Sequence, residues 1–139
     1  MVARVFACLF IESRSTSTDA IAQMIGVPAD RSWSIGDPRG KTGKSYATNS
    51  WSLISETEVS DESVARKEIK ARIADILERI RGHEAMFRST ATGEVSGLLL
   101  GITANSVPAI ILEASQVAGI ATLGVDLEID ILLSGDGPS

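Results

Sequence analysis

The sequence is poor in the residues from which many sites are built: it holds one cysteine and one histidine, and aromatics make up 4% of its 139 residues. A single thiol, Cys8, excludes a disulfide framework and a thiolate pair for a metal, and it fits a reducing compartment, so a cytoplasmic location is expected. Lying within an apolar run, Cys8 reads as a small core residue. The single imidazole, His83, follows Gly82 at the end of an expected helix, where the helix dipole favours a cation. Nothing in Ser13 to Thr18 or the other Ser/Thr-rich stretches marks a nucleophile elbow or a triad. No catalytic residue, metal ligand or cofactor is therefore assigned, and a non-enzymatic protein is expected. Long hydrophobic runs are also missing, so no segment is apolar and long enough to span a bilayer. The apolar start VFACLFI runs into Glu12-Ser13-Arg14 without a cleavage pattern and reads as a first strand.

What is present is an ordinary globular composition, 44% hydrophobic and 22% charged, with a formal net charge of -5. This length predicts a single domain over residues 1–133 with a disordered tail at 134–139. The acidic balance works against nucleic acid and anionic membranes and suits a basic protein partner.

One stretch departs from the acidic background. Residues 31–51, RSWSIGDPRGKTGKSYATNSW, gather both tryptophans, the only tyrosine and four cations against Asp37, a segment charge of +3. Gly40-Lys41-Thr42 and Gly43-Lys44-Ser45 suggest a phosphate loop, but Ile35 and Pro38 occupy the positions of its leading glycine. The segment also runs into a strand where a phosphate loop opens a helix. A looser anion site using Arg31, Trp33, Arg39, Lys41 and Lys44 is the remaining ligand-binding candidate. Trp51, on an apolar strand face, is expected in the core.

The elements follow from periodicity. Val2 to Ile11 predicts a central strand. A helix capped by Thr16 or Ser17 is expected to carry Ala20, Ile21, Met24 and Ile25 on one face and to stop at Gly26 before Pro28. Asn49 to Ser55 predicts a strand. Ser60 is expected to cap a helix with Ile69, Ile73, Ile76, Leu77 and Ile80 on one face, with Glu68/Arg72 and Asp75/Arg79 paired across its solvent side. Ala85 to Thr90 and Val95 to Thr103 are expected to form a hairpin about Thr92-Gly93. A third helix is expected from Ser106 and Pro108 to Gly119. The last strand, Leu123 to Leu133, carries Asp126, Glu128 and Asp130 on one face, a charged edge or an acidic docking stripe for a basic partner.

FACLFIESRSTSTDAIAQMIGV and GLLLGITANSVPAIILEASQVAGI echo one another as strand, polar connection, helix and glycine. The expected fold is therefore α+β: a two-layer sandwich, a mostly antiparallel sheet of about five strands with helices on one face and a ferredoxin-like pseudo-repeat. Its other face is expected to be open, or covered by the long loop or by a second copy in a homodimer.

Gly26, Pro28, Gly36, Asp37 and Trp51, with the acidic strand from Val125 to Asp130, resemble the bacterial domain-of-unknown-function family numbered 4279. Ile131-Leu132 stands where that family often has an aromatic. The resemblance implies a small α/β sandwich and no established activity. Together these features predict a protein-binding module, immunity-like or regulatory, with a small-molecule module binding an anionic ligand through the 31–45 loop as the alternative.

Overall fold

The computed structural model describes residues 3–133. Five strands alternate with four α-helices among them: β1 Ala3–Ser13, α1 Thr18–Ile25, β2 Arg31–Trp33, β3 Asn49–Val59, α2 Ala65–Arg79, α3 Glu84–Ala91, β4 Val95–Ala104, α4 Ala114–Leu123 and β5 Leu127–Leu133. The sheet order is β2-β3-β1-β4-β5. β1 is central and antiparallel to both β3 and β4, β2 is antiparallel to β3, and only β4 and β5 are parallel. This is the expected α+β sandwich.

Alternation along β1 builds its two layers. Ala3, Val5, Ala7, Leu9 and Ile11 are fully buried, because successive side chains on a strand point to opposite faces. α2 lies over β1 and β3, placing Ile69, Ile73 and Ile76 against that row, while α1, α3 and α4 complete the layer. Ser17 caps α1 by accepting from Ala20 N at 3.2 Å, and Gly26 ends it at φ +85°. Trp51 is buried as expected, its indole donating to Val27 O at 3.0 Å and its ring 5.9 Å from Phe87.

Several expectations are corrected. Residues 85–90 are not a hairpin strand but the body of α3, whose buried residues Phe87 and Thr90 are three apart. Gly93, at φ +80°, follows the end of that helix where a hairpin turn was expected. Residues 107–113 are not helical, and α4 begins only after Glu113, whose backbone N donates to Gln116 Oε1 at 3.2 Å. Gly119 lies inside α4, where a Cβ would sit 3.0 Å from Leu77, so glycine serves close helix packing there and Gly124 is the stop. β5 starts at Leu127, four residues later than expected. A 3-10 turn over Glu62–Val64 precedes α2, and no side chain caps that helix. Glu68 and Arg72 do pair, at 3.3 Å, but Arg79 turns from Asp75 to Asp30.

The two βα units place their strands side by side at the centre, running antiparallel. The chain returns antiparallel to β1 through β3, and parallel to β4 through β5. The tail at 134–139 lies outside the described residues.

Candidate functional site

The helix layer covers one face of the sheet and leaves the other open. On that face β1 carries Arg4, Phe6, Cys8, Phe10 and Glu12, and the strand register sets neighbours beside each. Ile54, Cys8, Leu99 and Glu128 form one row across four strands. Glu56, Phe6, Gly101 and Asp130 form the next row in one direction; Arg31, Ser52, Phe10 and Gly97 form the next in the other.

Two glycines shape this surface. A Cβ at Gly101 would overlap the Phe6 ring, and one at Gly97 would lie 3.1 Å from Phe10 Cζ. Both phenylalanines therefore lean across the neighbouring strand, an arrangement by which aromatics cover glycines in sheets. Cys8 and Leu99 are left between them as the floor of a trough of about 410 Å³, which Arg31, Trp33 and Glu128 also line. Burial raises the Cys8 thiol above its ordinary pKa against the opposing pull of a Ser52 hydrogen bond, so the group is a neutral thiol near pH 7.

Charge surrounds the apolar floor. Arg4 pairs with Glu56 at 2.5 Å while its guanidinium lies 5.1 Å from the centre of the Phe6 ring. Strand alternation puts Glu12, Glu56, Glu58, Glu128 and Asp130 on this face against Arg4 and Arg31, five carboxylates to two guanidiniums. The open face is acidic.

The basic segment divides by role. Arg31 and Trp33 form β2 and line the trough. Thr18 Oγ1 donates to Trp33 O at 2.9 Å, tying β2 to the start of α1. The loop that follows folds back on itself. Gly36 N donates to Tyr46 O, Tyr46 N to Asp37 O and Arg39 N to Lys44 O, all within 3.0 Å. Asp37 Oδ2 accepts from Ser34 N at 2.8 Å, and Gly36 holds φ +91°, which explains the Gly-Asp pair physically. Tyr46 stacks on Trp33 with centroids 4.3 Å apart, and Arg39 lies 5.5 Å over the Tyr46 ring. Lys41 and Lys44 are exposed on the loop and do not line the trough. The five residues thus do not converge on one site: two line the trough, one stacks on Tyr46, and two face solvent.

The acidic stripe divides as well. Glu128 reaches the trough, Asp130 sits beside Gly101, and Asp126 precedes β5, with its carbonyl accepting from Leu98 N at 2.9 Å. His83 Nδ1 lies 3.0 Å from Ile25 O. A carbonyl only accepts, so this bond requires a proton on Nδ1 and ties α3 to the end of α1. Among the described residues no three His, Cys, Asp or Glu side chains are grouped to hold a metal, and no helix is long and apolar enough to cross a membrane.

Sequence reasoning placed Cys8 in the core, whereas it is half-buried on the open face, and it missed Arg4, Phe6, Phe10, Ile54, Glu56 and Leu99 as trough residues. Arg4 and Glu12 stand in phase with Phe6, Cys8 and Phe10, and that period of two marks the even positions of β1 as the solvent side. Gly97 and Gly101, four apart on β4, complete the signal.

The fold and trough together define an α+β sandwich whose sheet keeps one open, acidic face with an apolar-floored trough. The chain belongs to the family described as a domain of unknown function (DUF4279), whose model matches residues 3–134. No curated protein and no solved structure matches it.

Proposed function

We propose that this protein works without catalysis, by binding another protein on the open face of its sheet, and that the partner presents a basic amphipathic helix. The observation that carries this reading is the apolar floor inside an acidic rim. From Ile54 through Cys8 to Leu99 the floor spans three strands, and two inter-strand spacings amount to about 10 Å. An α-helix is about 10–12 Å across with its side chains, so one helix fills the trough. Its apolar stripe meets Phe6, Leu99 and Phe10, while its Lys and Arg residues meet Glu12, Glu56 and Glu128. Regulatory and immunity-like roles are both served by such neutralising contact. Charges at the rim raise the association rate more than the affinity.

Capture from native lysate at low salt, using wild type and Leu99→Arg as paired baits, tests this. A discrete basic protein is expected with wild type, released by salt and absent with Leu99→Arg. Recovery of the chain alone, or equal capture by both baits, refutes the reading.

The anionic-ligand alternative has weaker support, because Lys41 and Lys44 stand apart from Arg31. Thermal shifts with phosphorylated and carboxylated metabolites that vanish in Lys41→Ala/Lys44→Ala would favour it. A dimer closing the open faces would show as a doubled mass at micromolar concentration.

A further inference from the structure

We propose that the outer edge of β5 is a strand-addition site for an extended protein segment in which basic and apolar residues alternate. This edge adjoins the trough and shares Glu128 with its rim, but its backbone groups and helix-side groove lie outside it, so the inference does not depend on the open-face reading. β5 ends the sheet, and no backbone hydrogen bond from a described residue reaches its outer side. The bond from Leu98 N to Asp126 O fixes the phase of the parallel ladder. Residues 126, 128 and 130 turn their backbone groups toward β4, so Leu127, Ile129, Ile131 and Leu133 present N–H and C=O groups outward.

The side chains make this edge unlike an ordinary protected one. Eleven large apolar side chains are exposed among the described residues; six of them fall within 107–133, including Val117, Ile129 and Leu133. On the helix side of the edge, Leu112, Val117, Ile120 and Leu127 line a groove of about 300 Å³. On the open-face side stand Glu128 and Asp130, both exposed. An added strand would direct alternate side chains to these two environments, apolar ones toward the groove and basic ones toward the carboxylates.

The same carboxylates select against a second copy of this chain. A two-fold antiparallel pairing about Ile129 or Asp130 sets carboxylate opposite carboxylate, which is unfavourable. A charged edge usually serves to prevent self-pairing. Here the charge also specifies the sign of the strand that is admitted.

The test is titration of the whole protein with a capped heptapeptide of alternating lysine and valine at low ionic strength, followed by amide hydrogen exchange and NMR. Exchange at Leu127, Ile129, Ile131 and Leu133 is expected to slow by roughly tenfold or more on saturation. Glu128→Lys/Asp130→Lys is expected to weaken binding by roughly tenfold or more, since it replaces attraction with repulsion at both contacts. Ile129→Pro removes one outward donor, a change edge strands tolerate, and should weaken binding with the far-UV spectrum unchanged. If that variant unfolds, slowed exchange at the four outward amides, taken with the charge reversal, still decides. Absence of binding, equal binding of the peptide with glutamate in place of lysine, or perturbations confined to Trp33 and Leu99 would each overturn the proposal.

Discussion

The residue Asp30 shows how a single side chain joins sequence-distant parts of this fold. Its carboxylate takes a two-pronged contact from Arg79, at 2.5 and 2.6 Å, and accepts from Ile54 N at 2.8 Å. The Arg79 hydrogen bond is the main cause of an Asp30 pKa below its ordinary 3.8, with the Ile54 amide adding to it against a burial cost. A carboxyl with a depressed folded pKa stabilises fully above its unfolded pKa, and that contribution is lost as pH falls through the folded value. Asp30→Asn should therefore lower the urea midpoint near neutrality, and its difference from wild type should shrink as pH falls from about 4 toward about 2. A difference that stays constant down to that pH would show that ionisation of Asp30 is not its source. This pair was illegible in the sequence because its members are 49 residues apart, and helical spacing offered Asp75 as the nearer partner. Ser17, Gly26 and Trp51 were legible because capping chemistry, left-handed backbone and an apolar strand face are local properties.

Among the elements, the basic loop between β2 and β3 depends on one aromatic contact. Tyr46 stacks on the indole of Trp33 and also meets the guanidinium of Arg39, and its backbone closes the turn onto Gly36 and Asp37. Tyr46→Ala removes both ring contacts while leaving the trough floor intact. The expected result is trypsin cleavage after Arg39, Lys41 and Lys44 that is roughly tenfold faster than in wild type, with a red shift of Trp33 emission. Unchanged cleavage would mean that the backbone hydrogen bonds hold the loop without the ring stack. Elements with a long period were readable: α2 announced itself through Ile69, Ile73, Ile76 and Ile80. Short ones depended on their caps: α1 was readable through Ser17 and Gly26, and α3 was not. Eight residues of α3 give barely two turns, and Thr92-Gly93 serves equally well as a hairpin signal or a helix end. Ser106 and Pro108 imitate a helix start, whereas the start is set by Glu113 and Gln116, with Gln116 Nε2 also reaching Lys70 O on α2 at 2.9 Å.

At the scale of the whole molecule, the packed core and the proposed binding surface lie on opposite faces of one sheet, and three consecutive leucines divide between them. Leu98 and Leu100 are fully buried under the helices, while Leu99 faces the trough beside Cys8. Leu100→Ala should cost about 2–5 kcal/mol, the usual range for emptying a packed core site. Leu99→Ala removes a side chain that already meets solvent and should cost under about 1 kcal/mol. Chemical denaturation of the two variants measures both. Equal losses would mean that the open face contributes to folding as much as the core does, leaving little of it free to serve a partner. The layered architecture was legible because Ala3, Val5, Ala7, Leu9 and Ile11 share one phase of β1. The trough was not, because its floor is a register property: Cys8 meets Ile54 on one side and Leu99 on the other only once three distant strands are aligned. A floor assembled this way is held by backbone pairing, and substitutions on it can change what binds without changing what folds.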